Sequence, residues 1–357
     1  MPECLDSLLQ QSFADWEAIV VDDGSTDTTN EVCQKYTSID SRIKWVKKAN
    51  GGLSSARNFG IINATGNRFI FLDADDFLYP NCLEKIAKFV QNSDKNTLIQ
   101  YGYTYVKEDG KTILGHTKAQ QKINLIPDVF KSNLGPCHSI CISRDLINKV
   151  GFFDESLKSV EDWDFWMRAI KAGGTQKIIP ETLVYYRYAQ NSMSRDGFVM
   201  FDALKKVIER GPKKDLRITI ESELNKDYDF DISEVLKEVL LRSLGVSIMQ
   251  GKIDESILFF KKHSPLPLKE YKVSNYEYMC SYLSFRYWYS SSDVREVLDC
   301  FYPNFELFLI KCGYNKSYRN KALYTIFKSH FYYRNKYRYG NFFASLINVI
   351  HSKLLRF

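Results

Sequence analysis

Apolar and polar positions along this chain follow two rhythms, and the change from one to the other divides it. Through about residue 195, short apolar runs end in acidic or glycine-containing turns, the rhythm of strands feeding helices. Cys4, Leu5, Leu8 and Leu9 fall on one face behind Pro2, which predicts a short opening helix. Glu17 to Val21 predicts a strand that ends in Asp22-Asp23-Gly24-Ser25-Thr26-Asp27, an acidic turn and helix N-cap. A strand near Ile43 to Val46 follows, then a glycine-opened helix from Asn50-Gly51-Gly52, closed by Gly66. Phe69-Ile70-Phe71-Leu72 is apolar without interruption and runs straight into Asp73-Ala74-Asp75-Asp76. Such a run predicts a strand buried on both faces of a largely parallel sheet, with the acids at its carboxyl end. Further on, the pattern predicts a helix over Pro80 to Val90 and a strand over Thr97 to Val106, with a turn at Gly110. It then predicts a short apolar segment at Ser139 to Ile142 and a helix over Arg144 to Val150, stopped by Gly151. Last come a helix from Glu161-Asp162-Trp163-Asp164 to Lys171 and a strand over Thr182 to Tyr188.

Beyond about Asp196 the strand signals stop and helical spacing takes over, as in Val235, Val239, Leu240 and Leu244. The segments Ile232 to Lys262 and Asn320 to Leu355 each read as antiparallel helix pairs. The chain is therefore expected to hold an α/β domain over residues 1–198 and an all-helical domain over 199–357.

Composition narrows this picture. At 357 residues the chain exceeds a usual single core, and 45% apolar content excludes wholesale disorder. No window approaches 18 uncharged apolar residues, and the N-terminus lacks a basic-then-apolar signal, so a cytoplasmic protein is expected. Eight scattered cysteines fit reduced, buried thiols better than a disulfide frame. Cys137-His138 with Cys141 resembles half of a zinc site, but no second ligand pair follows it. The formal charge is +6, yet residues 307–357 hold ten Lys or Arg and no Asp or Glu, leaving the rest at −4. The basic residues of that tail alternate with tyrosines and phenylalanines. This suits peripheral contact with an anionic membrane at the inner face more than nucleic acid, and equally a helical module with basic outer faces.

Four groups of residues carry candidate chemistry. In an extended backbone Asp73 and Asp75 point the same way and converge, and a divalent cation, Mg²⁺ or Mn²⁺, would relieve their repulsion and grip a diphosphate. Asp22 and Asp23 end a neighbouring strand on the same rim, where carboxylates accept from a pyrimidine N–H or ribose hydroxyls; an Asp-Gly turn with a helix cap is the plainer alternative. Arg57 lies in the glycine-opened helix, whose free N–H groups could receive an anion, or it is simply a surface arginine. Finally, Ser159-Val160-Glu161-Asp162 reads as a near capping box with Ser159 as N-cap. Yet Asp162 shares the face of Phe165, Trp166, Ala169 and Ile170, so it points inward as a candidate general base beside Glu161, kept ionised by the helix dipole. Asp164 and Arg168, four apart, read as a structural ion pair.

Taken in order, Val20-Val21-Asp22-Asp23-Gly24-Ser25-Thr26-Asp27, Asn50-Gly51-Gly52 with Ala56-Arg57-Asn58, Phe71-Leu72-Asp73-Ala74-Asp75-Asp76, Gly151-Phe152-Phe153-Asp154-Glu155 and Glu161-Asp162-Trp163-Asp164 resemble the motif series of family 2 glycosyltransferases of the GT-A fold. The resemblance covers about Met1 to Arg195. It implies inverting transfer of a sugar from a nucleotide sugar, usually a UDP-sugar, to a glycan or lipid-linked acceptor in surface polysaccharide biosynthesis, with Mg²⁺ or Mn²⁺. It also implies roles: Asp22 or Asp23 on the uracil, Arg57 supporting the nucleotide, Asp73 at the ribose, Asp75 with Asp73 at the metal, and Asp162 as base with Glu161 beside it.

Two departures from the family pattern set further expectations. Members normally begin with an apolar strand ahead of the first helix, and this chain starts after it, which predicts a misplaced start codon or a truncated gene and a groove left in the core. Members also commonly carry a His after the Tyr-Arg of the last strand. Here Tyr186-Arg187 leads to Tyr188-Ala189-Gln190, so water would replace that metal ligand. A rival reading is a non-catalytic donor domain that carries the helical region as an interaction or membrane-docking module.

Overall fold

The structure, a computed structural model, describes residues 1–188, 196–272, 275–281 and 291–328. It divides into two compact units, one of Met1–Gln190 with Lys206–Phe230 and the other of Asn191–Lys205 with Asp231–Phe357. The α/β pattern thus ends near Gln190, and residues 206–230 belong to the same unit as the strands.

In the first unit the amphipathic start forms α1 (Pro2–Leu9), which buries Cys4 and Leu5 as its spacing requires. Strand β1 (Ala18–Asp22), α2 (Thr29–Ile39) and β2 (Ile43–Lys47) follow, and β1 pairs with β2 in parallel as a two-stranded sheet. Next come α3 (Leu53–Asn63), β3 (Arg68–Phe69), β4 (Phe77–Leu78) and α4 (Cys82–Gln91). Then β5 (Thr97–Val106), β6 (Ile113–Thr117), α5 (Leu125–Lys131), β7 (Ile140–Ser143), α6 (Arg144–Val150), α7 (Glu161–Lys171) and β8 (Thr175–Arg187) complete the order.

The larger sheet runs β3-β7-β5-β8-β4, with β6 added beside β5. It is mixed, which corrects the expectation of a mostly parallel sheet. Among the described residues β5 and β8 pair in parallel, while β3–β7, β5–β7, β4–β8 and β5–β6 are antiparallel. A continuous apolar run reports burial on both faces, and burial says nothing of strand direction. Helix α7 and strand β5 supply the deepest side chains, with Phe165, Trp166, Leu98 and Ile99 at 0% exposure.

Strand β8 begins at Thr175, seven residues before the predicted start, because Pro180 sits inside it. Pro180 lacks the N–H that a ladder needs, and the register against β5 jumps there from Tyr101↔Ile179 to Gly102↔Thr182. Gly102 at the jump is tightly enclosed: a Cβ on it would lie 2.4 Å from the Thr117 carbonyl oxygen of β6.

In the second unit α8 (Ser233–Met249) and α9 (Ile253–His263) form the predicted pair, and a further helix spans Ser291–Lys311. Leu244, Ile248, Phe260, Phe301, Phe305 and Phe308 form one apolar core there. Of the second predicted pair, residues 329–355 lie outside the described residues. Among the described residues no helix is long and apolar enough to cross a membrane.

Candidate active site

The predicted strand Phe69 to Leu72 is strand only to Phe69, after which the chain turns. The Asp76 N–H donates to the Asp73 carbonyl at 3.0 Å, so Asp73 to Asp76 is a β-turn and not an extended stretch. A turn brings its first and fourth residues together and carries the third away. Asp73 therefore faces Asp76, while Asp75 is exposed, and the expected convergence of Asp73 with Asp75 on one side of a strand is not what the backbone does. Although Asp75 is exposed as a residue, partial desolvation of its carboxyl, together with the charges of Asp76 and Asp73, pushes that carboxyl above its usual range. The guanidinium of Arg187 holds the turn by donating from Nε to the Asp75 carbonyl at 2.8 Å, and its backbone N–H reaches Asp76 Oδ1 at 2.8 Å.

Arg57 is buried instead of lying on the surface. Its side chain is 9% exposed, and it donates to Asp73 Oδ1 at 2.9 Å and to Glu161 Oε1. Burial alone would lower its affinity for a proton, but Cys137, Asp73 and Glu161 around it more than compensate and keep it charged. One cation thereby joins the acidic turn to the first residue of α7. The neighbouring Asn58 fixes the same helix to the Gly151-to-Glu155 segment: Oδ1 accepts from Phe153 N at 2.8 Å, and Nδ2 donates to Phe153 O and Glu155 Oε1 at 3.0 Å each. Phe153 in turn stacks on Phe165 at 4.0 Å and meets Phe71 edge-on at 5.0 Å. Four motifs far apart in the sequence are thus one packed unit.

Helix α7 starts differently from the capping box. Its N-cap is Val160, held at φ 53, and no side chain caps the helix, so Ser159 does not act there. A β-branched residue in the left-handed region costs on the order of 1 to 3 kcal/mol, and such strain gathers at functional sites. Asp162 follows two residues later. Burial first and the charge of Glu161 second push its carboxyl up to about 7, against Arg57, the Trp163 N–H and the Asn133 side chain, which favour the ionised form. The helix dipole therefore does not keep Asp162 ionised as expected, because desolvation is the larger effect.

Asn133 also lines a cavity of about 160 Å³ with Gln100, Tyr103, Thr117, Lys118 and Gln120. The Asn133 side chain that favours ionised Asp162 is thus also part of the wall of a polar hollow. Behind α7, Asp164 and Arg168 pair as expected, at 3.0 Å, but both are buried and Arg217 joins them at 2.8 Å. Residues 206–230 brace the helix through this group and through Lys171, which donates to the Gly211 carbonyl at 3.0 Å.

The first rim is quieter. Asp22 is 5% exposed, and its Oδ1 accepts from Ser25 N at 2.8 Å, the plain turn reading. That bond is the main cause holding its carboxyl below the usual range. Asp23 accepts from Lys48 Nζ at 2.6 Å, Gly51 N at 3.0 Å and Gly52 N at 2.7 Å. Burial opposes its ionisation, but Lys48 and the two amides outweigh it. The glycine-opened helix start is therefore filled by the chain's own carboxylate. Sequence reasoning missed His138, whose Nδ1 lies 2.8 Å from Asp76 Oδ2. The weak Cys137-His138 signal was the only trace of it.

The strands and helices that carry this site form an α/β domain, and residues 1–151 match the family described as Glycosyl transferase family 2. The chain belongs to that family. It is 31% identical over 190 residues to the "Putative teichuronic acid biosynthesis glycosyltransferase TuaG" of Bacillus subtilis, covering 53% of this chain and 73% of that one. It is 34% identical over 178 residues to an uncharacterized glycosyltransferase of Rickettsia typhi, covering 48% and 54%. With the uncharacterized glycosyltransferase EpsJ of Bacillus subtilis, identity is 30% over 204 residues, covering 54% and 58%. The chain thus spans about half the length of the first curated relatives it matches. Among solved structures, S. aureus TarS 1-349 in complex with UDP aligns over 95% of this chain and 87% of that one, at TM-score 0.47 and 19% identity.

Proposed function

We propose that this protein transfers a sugar from a nucleotide sugar, a UDP-sugar, to a hydroxyl of a glycan or lipid-linked acceptor, with inversion at the anomeric carbon. The observation that carries the reading is the Arg57 bridge, which ties the Asp73 turn to Glu161 and so sets Asp162 within the same packed group. Family membership and the resemblance of the TuaG name to polysaccharide chemistry support it.

In this reading Asp73 and Asp23 hold the nucleotide, with Asp23 exchanging its Gly51 and Gly52 amides for the base. Arg57 fixes the orientation of Asp73 and Glu161 and faces the diphosphate. Asp162 takes the proton of the acceptor hydroxyl as its oxygen attacks. The new bond joins that oxygen to the anomeric carbon, the bond to the phosphate oxygen breaks, and the diphosphate leaves with the electron pair. A carboxyl with a pKa about 7 suits proton uptake near neutral pH. The polar hollow at Asn133 receives the acceptor. Buried carboxylates at the turn fit a divalent cation, Mg²⁺ or Mn²⁺, which when bound supplies charge neutralisation to the diphosphate. The basic tail, mostly beyond the described residues, is read as a peripheral contact with anionic lipid on the cytoplasmic face; equal sedimentation with neutral and anionic vesicles would remove that part.

The test is a donor panel followed by nucleotide release, with NMR of the product's anomeric configuration and calorimetry with UDP. Release from a UDP-sugar with an inverted product is expected. Neither UDP binding nor release from any donor would overturn the reading in favour of a non-catalytic domain.

A further inference from the structure

Lys118 and Lys122 both line the hollow of about 160 Å³ that Asn133 helps to wall, and no Asp or Glu lines it with them. The other polar residues there carry amides and hydroxyls and are neutral. Neither lysine has an acidic partner. Among the described residues Lys118 makes no ion pair or side-chain hydrogen bond, and Lys122 Nζ donates to the neutral Ser132 hydroxyl at 2.9 Å. An ammonium group carries three donors and no acceptor, so Lys122 keeps two N–H groups for a ligand and Lys118 keeps all three. A hollow lined by one sign of charge concentrates ions of the other sign.

The lysines are also held in place. Residues 118–122 connect β6 to α5, and Gln176 of β8 pins that connection: its Nε2 donates to the Gln120 carbonyl at 3.2 Å, and its Oε1 accepts from Lys122 N at 3.0 Å. The volume is close to that of a cavity that holds one benzene ring, which suits a single small ring or short polyol. Asn133 both lines the hollow and favours ionised Asp162, so one ligand can present a hydroxyl toward Asp162 and a charge toward the lysines. The charge and the reacting hydroxyl then belong to the same unit of the ligand, or to the linkage that joins that unit to the next.

We propose that the hollow takes an oxyanion-bearing acceptor, a sugar or polyol unit with a phosphate or carboxylate beside the hydroxyl that is glycosylated, and that Lys118 and Lys122 select it. The inference deepens the sugar-transfer reading and rests on it for the use of the site, while binding of the anion stands on the hollow itself. The amides lining the hollow suit the remaining hydroxyls, which both donate and accept, whereas the lysines only donate and suit the oxyanion.

The experiment is calorimetry of the full chain, at low and high salt, with glycerol 1-phosphate against glycerol and methyl glucuronide against methyl glucoside. We expect the charged member of at least one pair to bind about tenfold more tightly, with the advantage shrinking as salt rises. The pair that shows the preference tells phosphate from carboxylate. Lys118→Gln and Lys122→Gln should each remove most of the preference, and Lys118→Arg should keep it. Lys111→Gln, which removes the same charge from the turn between β5 and β6 outside the hollow, should also keep it. Equal binding of charged and neutral probes, no binding of any probe, or a preference that survives Lys118→Gln combined with Lys122→Gln overturns the inference. The sugar-transfer reading fails separately, by absence of UDP binding and of donor turnover, and anion selection in such a chain would support the hollow as an anion site without that use.

Discussion

Replacing Asp162 by Asn should move activity and stability in opposite directions. The carboxyl is raised from 3.8 to about 7, chiefly by burial. Between those values the folded chain holds a proton that the unfolded chain has released, so stability falls as pH rises through that window. A shift of this size corresponds to about 4 kcal/mol at about 1.4 kcal/mol per unit. Partial exposure and the charges shared with Glu161 and Arg57 screen it, so about 1 to 3 kcal/mol is the expected cost of the ionised group above pH 7. Asparagine is nearly isosteric and never ionises. Urea unfolding of Asp162→Asn at pH 8 should therefore show a gain of about that amount, shrinking toward zero near pH 4. Turnover should fall by about two orders of magnitude or more with the UDP affinity nearly unchanged. In the unsubstituted enzyme turnover should rise with pH through about 7. Equal stability of the two proteins at pH 8, with parallel slopes from pH 4 to 8, would refute the burial argument. Unchanged turnover would remove Asp162 as the base.

Arg57→Met leaves Glu161 buried without its cation and should cost about 3 to 5 kcal/mol, and adding Glu161→Gln should recover part of it in a double-mutant cycle of urea midpoints. Gly102→Ala forces a methyl against the Thr117 carbonyl and should lower stability by about 1 to 3 kcal/mol, read as a drop in thermal midpoint. Val160→Asn should stabilise the chain by about 1 kcal/mol in the same assay, since asparagine tolerates the left-handed region that strains valine.

Much of the chain was readable before folding. The helix over Arg144–Val150 and the starts of β5 and α7 fall where the pattern predicted. Asp164 and Arg168 pair as their spacing required. What failed did so for nameable reasons. Asp73 and Asp75 were placed by strand geometry, but the strand ends at Phe69, three residues before the apolar run does, and Asp73 to Asp76 forms a turn. Arg57 was read as a nucleotide-supporting residue with a surface arginine as the alternative, and its burial between two carboxylates was not legible because they lie 16 and 104 positions away. His138 sits in an ordinary apolar stretch, and its meeting with Asp76 depends on β7 entering the sheet beside β5.

The sequence by itself determined the class of most described segments and the family, because hydrophobic period and motif order are local properties. Tertiary structure alone decided the mixed strand directions, the return of residues 206–230 to brace α7, the partners of Arg57 and the raised pKa of Asp162. These depend on which distant groups meet and how much water is excluded where they meet, and neither quantity is written in any short stretch of chain.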